Sequence, residues 1–152
     1  MADHLHTQIA QAAAARLNSS DVPSANGAVK PYRVHPINPG DLPYGSAWVP
    51  AEEPLDEAGD GDDEDLIVAV ATLMVAWFVK SESPEPLLNQ FLLETQQALA
   101  GGLALGGQQL QLVWRGCEKT YEGADQDYSE IAIQYDVEIA YNKGTPDVLA
   151  WQ

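Results

Sequence analysis

The chain has 152 residues, of which 45% are hydrophobic and 20% charged, which is enough for a single globular domain that buries its own core. Its formal net charge is −16 with only seven lysines and arginines, and these form no cluster, which excludes tight binding to DNA or RNA. The single cysteine, Cys117, excludes an intramolecular disulfide and favours a reducing, cytosolic setting. The most apolar segment, residues 66–79, is too short to cross a bilayer as a helix, so we expect no membrane association.

The first half of the chain predicts one helix, two short strands and an acidic loop. Over residues 3–17 apolar side chains recur every four positions and Asp3 stands at the N-cap, which predicts a helix. A polar connection over 18–27 leads to short strands at 30–35 and 46–49, separated by a proline-rich corner. Residues 52–65 hold nine of the 23 acidic residues and no basic residue, which predicts a solvated acidic loop.

The second half predicts a long strand, a helix and further strands. Residues 66–80 are rich in β-branched and aromatic side chains and favour a strand, with a buried helix as the alternative. A helix over 85–100 ends at two glycines, and a strand runs from about 110 toward 119. An acidic turn over 121–127 then leads into a nearly strictly alternating strand at 131–141. This order predicts an α+β fold, with a mixed, mainly antiparallel β-sheet and two α-helices packed on one face.

Both faces of the predicted strand at 66–80 are apolar. Val70 and Met74 lie on one face, and Leu73 and Trp77 lie on the other. Two helices can cover only one face of a sheet, so the other face needs a loop or a second subunit. We favour self-association, because a monomer rarely exposes a large apolar strip.

The sequence contains no recognisable catalytic or ligand-binding constellation. His4 and His6 lie two residues apart near the N-terminus, and we interpret them as solvated polar residues rather than metal ligands. A calcium-loop pattern begun at Asp60 would place Asp65 at the obligatory glycine, and neither a GxSxG elbow nor a phosphate-binding loop occurs. We therefore expect no cofactor, no metal and no enzymatic activity.

The order of elements and several local phrases carry a resemblance to a known family. The chain begins with the amphipathic stretch HLHTQIAQAAAARLN, followed by YRVHP, GDLP and SAWV, and then the long strand. The helix that follows ends in ETQQALA, a charge stands next to Trp114, and the last strand carries Tyr135 and Tyr141. Over residues 4–141 this ordered set resembles the tail terminator, or tail completion, proteins of long-tailed bacteriophages.

The resemblance implies a structural role in the virion tail, assembled in the host cytoplasm. Members of the family form a six-membered ring on the last ring of tail-tube protein, end tube polymerisation and offer the surface that docks to head-completion or neck proteins. DNA passes through the lumen without being tightly bound. Two alternatives stay open, namely another neck or minor tail assembly protein and, in a different class, an acidic DNA mimic that inhibits a DNA-binding protein.

The resemblance and the sheet pattern together nominate residues for such a ring. Those expected at the subunit interface are Leu42, Pro43, Trp48, Leu73, Trp77 and Trp114. Those expected to face the lumen are the polar residues of the last strand, Gln134, Asp136 and Glu138. Acidic groups there would keep the genome from adhering during passage. The acidic loop at 52–65 is expected on the rim.

Overall fold

The computed structural model describes residues 3–19, 29–33, 42–55, 65–123 and 128–150. The described elements in chain order are α1 (Leu5–Asn18), β1 (Tyr44–Pro54), β2 (Leu66–Val79), α2 (Pro84–Leu99), β3 (Leu103–Leu105), β4 (Gln108–Leu110), β5 (Val113–Thr120) and β6 (Ser129–Asn142). The protein has an α+β fold, as the sequence predicts. Neither helix in these ranges is long and apolar enough to span a membrane.

Four strands form the main sheet in the order β1-β2-β6-β5, and each neighbouring pair is antiparallel. The two longest strands, β2 and β6, lie at the centre and pair along their whole length, from Leu66 opposite Asn142 to Val79 opposite Ser129. The strands β3 and β4 form a separate short hairpin. The long apolar segment is therefore the strand that the sequence favours, and the buried-helix alternative is wrong.

Both helices pack on the same face of the sheet. We call this the covered face, and it consists of the odd-numbered residues of β2 and β6 with their neighbours on β1 and β5. Its core joins residues from α1, α2, β2 and β6, including Leu5, Ile9, Leu88, Phe91, Leu73, Val75, Trp77, Ile131, Ile133 and Tyr135. The opposite side, formed by the even-numbered residues of β2 and β6, is called the open face.

Trp77 fastens α2 to the covered face. Its ring stacks on Phe91 with centroids 4.7 Å apart, and its indole N–H donates to the Thr95 hydroxyl at 2.8 Å. Gly45 of β1 lies against the same ring, because a Cβ built there would come within 2.5 Å of a Trp77 ring carbon. The absence of a side chain at position 45 therefore allows the edge strand to pass beside the indole.

Several element boundaries differ from the sequence-based predictions. The first helix begins at Leu5 and is capped by His4 instead of Asp3, because the His4 Nδ1 accepts the backbone N–H of His6 at 3.0 Å. The strand predicted at 46–49 extends over Tyr44–Pro54, so the first acidic residues of the predicted loop belong to β1. The strand predicted at 30–35 is reduced, within the described residues, to a single parallel bridge between Lys30 and Ser46.

Parts of four predicted connections lie outside the described residues. They are 20–28 of the polar connection, 34–41 of the proline-rich corner, 56–64 of the acidic loop and 124–127 of the acidic turn. The rim position expected for the acidic loop stays a prediction.

Candidate functional site

The open face divides lengthwise into an apolar and a polar half. The half toward β1, which we call the apolar half, consists of Trp48 on β1 and Val70, Thr72 and Met74 on β2, all of them half-buried, with the exposed Glu53 at its end opposite Val70. The polar half consists of Gln134, Asp136 and Glu138 on β6. The two halves are in direct contact, since each of the three β2 residues lies opposite one of the β6 residues in the ladder. Both helices lie on the covered face, so in the described part of the chain no helix packs on this surface.

One end of the open face is closed by the chain itself. Tyr44, Ala76 and Phe78 are buried there in a small second cluster, against which Leu42 and Tyr128 pack. The Phe78 ring meets the Tyr128 ring edge-on, with centroids 5.5 Å apart. The chain therefore covers the apolar strip at this end, and Val68 and Ala140 are buried toward the other end of the same face. The middle of the strip, at Val70, Thr72 and Met74, stays half-buried.

The polar half carries less free charge than its sequence indicates. The Arg115 Nε donates to the Asp136 Oδ2 at 2.6 Å, so this carboxylate has a close cationic partner. The Asp136 side chain is also only 17% exposed. Glu138 lies beyond the last β5–β6 pair, Val113 opposite Asp136, and is exposed. Glu138 is therefore the acid on this half of the face that is most open to solvent.

The six expected interface residues separate into three groups. Leu73 and Trp77 lie in the core of the covered face at 0% and 1% exposure, so their side chains are not available to a neighbouring subunit, and their nomination is corrected. Trp48 lies on the open face, opposite Met74, so its position is compatible with the predicted role at a subunit interface. Leu42 and Pro43 are half-buried at the closed end of the open face.

Trp114 forms the third group, because it lies on an edge of the sheet. It belongs to β5, is 42% exposed and meets the Tyr135 ring edge-on at 5.8 Å. The adjacent Val113 is 52% exposed. The β5 edge, at the side of the sheet opposite to β1, therefore exposes one apolar residue on each face, because Val113 lies opposite Asp136 on the open face and Trp114 lies opposite Tyr135 on the covered face.

A second site lies at the start of α1, and sequence reasoning did not find it. The His6 Nε2 is 2.5 Å from the Glu52 Oε1, and the Tyr141 hydroxyl donates to the Glu52 Oε2 at 2.8 Å. The His4 ring meets the His6 ring with centroids 4.4 Å apart and the Tyr141 ring at 5.9 Å. We call His4, His6 and Glu52 the His–Glu cluster.

A β-bulge brings Glu52 to this cluster. In β1 the register shifts between Trp48 and Ala51, so that Trp48 lies opposite Met74 and Ala51 lies opposite Thr72. The extra residue in β1 reverses the alternation of side chains, and Glu52 therefore points to the covered face, opposite Ala71, instead of to the open face. No sequence pattern marked the bulge, although Pro50 stands within it and prolines in sheets favour edges and bulges.

The start of α1 is held by the segment near the other end of the described chain. The Leu5 backbone N–H donates to the Pro146 carbonyl at 3.0 Å, and the Gln8 side chain donates to the Asp147 carbonyl at 2.6 Å. The His6 side chain is half-buried and lies against Glu52. The interpretation of a fraying terminus is therefore wrong, and so is that of His6 as a solvated residue.

Two tyrosines on the covered face stay protonated well above neutral pH. Burial raises the pKa of Tyr135 to about 12. Burial, together with the hydrogen bond to the Glu52 carboxylate and its negative charge, raises the pKa of Tyr141 to about 12. The Tyr141 hydroxyl therefore remains a hydrogen-bond donor to Glu52 across the physiological range.

The chain matches no protein-family model, and a search of curated proteins gives no match either. The fold and the two sites define a class by architecture alone: an α+β protein whose four-stranded antiparallel sheet has helices on one face and a divided, partly exposed opposite face.

Proposed function

We propose that this protein is a structural component of a phage tail that assembles with copies of itself into a ring, caps the tail tube, ends its polymerisation and docks to the neck. The observation that carries the proposal is the division of the open face. A ring subunit needs one surface from which a neighbouring subunit excludes water and another that faces a solvent-filled channel. The apolar and polar halves lie side by side and meet these two needs.

The positions of the apolar surfaces favour a head-to-tail contact. The apolar half of the open face lies toward the β1 edge, and the exposed Trp114 lies on β5 at the opposite edge. Two different surfaces on opposite sides of one subunit form a heterologous interface, and such interfaces produce a closed ring when the rotation between subunits closes. We therefore place Met74 and Trp48 of one subunit against Trp114 of the next.

The polar half then lines the channel. Gln134, Asp136 and Glu138 keep the role expected from the sequence, with Glu138 as the main source of free negative charge because Asp136 is paired with Arg115. Carboxylates facing the lumen repel DNA phosphates and leave the passing genome mobile. This arrangement requires no catalytic group.

The test is to mix the purified chain with tail-tube subunits, measure the mass of the assembly and image the tubes by electron microscopy. We expect rings of six on the tube ends. Met74→Asp and Trp114→Asp should each weaken ring formation at least about tenfold, since a charge placed in an apolar interface removes a contact of the kind that dominates binding. Leu93→Asp is the matched control, because Leu93 is an apolar residue 54% exposed on α2, away from both surfaces.

Other outcomes separate the alternatives. A protein that stays monomeric and never contacts tubes would contradict the proposal, and inhibition of a DNA-binding enzyme by that monomer would favour the acidic mimic. Rings that bind head or neck proteins but do not cap tubes would favour another neck component. Unchanged assembly of both aspartate variants would show that the interface lies elsewhere.

A further inference from the structure

The His–Glu cluster brings together three side chains of metal-ligating type from two distant parts of the chain. His4 and His6 come from the start of α1, and Glu52 comes from β1, 46 residues after His6. Each offers one ligand atom, and these atoms all lie within 4.8 Å of one another. We propose that His4, His6 and Glu52 form a binding site for a divalent transition metal ion of the zinc type, and this proposal does not depend on the ring.

The donor set selects the class of ion. Two imidazole nitrogens and one carboxylate oxygen suit Zn²⁺ and its neighbours in the first transition row, whereas Ca²⁺ and Mg²⁺ take oxygen ligands. Ligand atoms around a tetrahedral zinc ion lie roughly 3.4 Å apart, as follows from bond lengths of about 2.1 Å. The His6–Glu52 pair, at 2.5 Å, must open by about 1 Å to reach that spacing.

Tyr141 is placed to orient the carboxylate. It donates to the Glu52 Oε2 and leaves Oε1 directed at His6, so the ligand oxygen is already selected before an ion binds. Hydrogen bonds of this kind, made to a ligand by a residue outside the coordination sphere, fix ligand geometry and raise metal affinity. Tyr141 is thus a positioning residue that does not itself need to touch the ion.

Metal binding by His4 would be detectable by NMR spectroscopy. The His4 Nδ1 accepts the backbone N–H of His6, so the proton of the neutral ring resides on Nε2. Coordination by either nitrogen of His4 requires that this cap hydrogen bond be given up. Metal binding should therefore change the environment of one defined backbone amide, that of His6.

The site would act as a clamp between the helix layer and the sheet. Through Glu52 it joins α1 to β1, and through Tyr141 it reaches β6. Because the ligand set exists only in the folded chain, an ion bound there stabilises the fold by mass action.

Calorimetric titration of the full, untagged chain with Zn²⁺ in excess Mg²⁺ tests the site, because Mg²⁺ competes for carboxylates that bind cations nonspecifically. We expect one equivalent of Zn²⁺ per chain near neutral pH. His6→Ala and Glu52→Gln should each weaken binding at least about tenfold, and Tyr141→Phe should weaken it about 10- to 100-fold.

Glu53→Gln is the control, because Glu53 is the exposed next residue of the same strand and lies opposite Val70 on the open face. It should bind Zn²⁺ as the wild type does. Equal binding by Glu52→Gln and wild type, or no binding by wild type, would overturn the proposal. Should a variant fail to fold, the wild-type NMR spectrum decides: one equivalent of Zn²⁺ must shift the His6 amide resonance, and an unmoved resonance contradicts the site.

Discussion

The two faces of β2 are built from similar side chains and end in different environments. On the covered face Leu73, Val75 and Trp77 are fully enclosed, whereas Val70 and Met74 on the open face stay half-buried. The difference arises because both helices pack on the same side of the sheet. The apolar residues on both faces of a strand therefore indicate that both faces need to be covered. The number and placement of the helices determine which face is left for a partner.

The largest expected effect comes from removing Trp77, which tests whether the covered face holds the fold together. Trp77→Ala removes the stack on Phe91 and the hydrogen bond to Thr95. We expect a loss of about 3–5 kcal/mol in the free energy of unfolding, measured by urea denaturation, as for other large-to-small changes of buried aromatic residues.

Met74→Ala is the matched comparison on the open face. Its side chain is half-buried in the single chain, so we expect a loss of about 1 kcal/mol or less when unfolding is measured on monomers. Similar losses for the two variants would mean that the faces contribute equally to monomer stability, and the contrast between them would fail.

The sequence predicts the elements well where a single periodicity operates. The alternation in β6 correctly separates the buried Ile131, Ile133 and Val137 from the polar residues of the open face, because only one face of that strand is apolar. Both helices follow from their apolar stripes for the same reason. The choice between Leu73 and Met74 as the outward residue could not be made in this way, since β2 is apolar on both faces.

The His–Glu cluster was beyond sequence reasoning for two physical reasons. The bulge in β1 reverses the direction of Glu52, and one extra residue in a strand leaves no clear mark on a hydrophobic pattern. The contacts that hold the start of α1 come from residues 146 and 147, which are far away in sequence. Local patterns cannot report such long-range contacts.

An effect smaller than that of Trp77→Ala is expected from adding a methyl group on the covered face of β1. Gly45→Ala would place a Cβ within 2.5 Å of the Trp77 ring, which is held between the sheet and α2. We expect a loss of about 1–3 kcal/mol in the free energy of unfolding, because the packed ring has little room to move.

Gly101→Ala is the control for that substitution, since a Cβ there meets no atom within 4 Å. Thermal or urea unfolding of this variant should stay within about 0.5 kcal/mol of wild type. If Gly45→Ala were as stable as Gly101→Ala, the indole would have to be mobile, and the covered face would be less tightly packed than its burial indicates.

An effect that appears only at alkaline pH concerns protonation on the covered face of β6. Because the folded-state pKa of Tyr135 is raised to about 12 from the ordinary value of 10.0, the folded chain retains a proton that the unfolded chain loses. The resulting stability is fully present below pH 10 and is lost as pH rises from 10 toward 12, by at most about 1.4 kcal/mol per pH unit for one tyrosine. Urea midpoints measured across this interval should fall, and they should fall less steeply in Tyr135→Phe.

Tyr121→Phe is the control, because it alters a tyrosine that is 44% exposed on the surface, and it should follow the wild-type curve. Equal slopes for wild type and Tyr135→Phe would show that water reaches this phenol, and the covered face would then be sealed less completely at β6 than at β2.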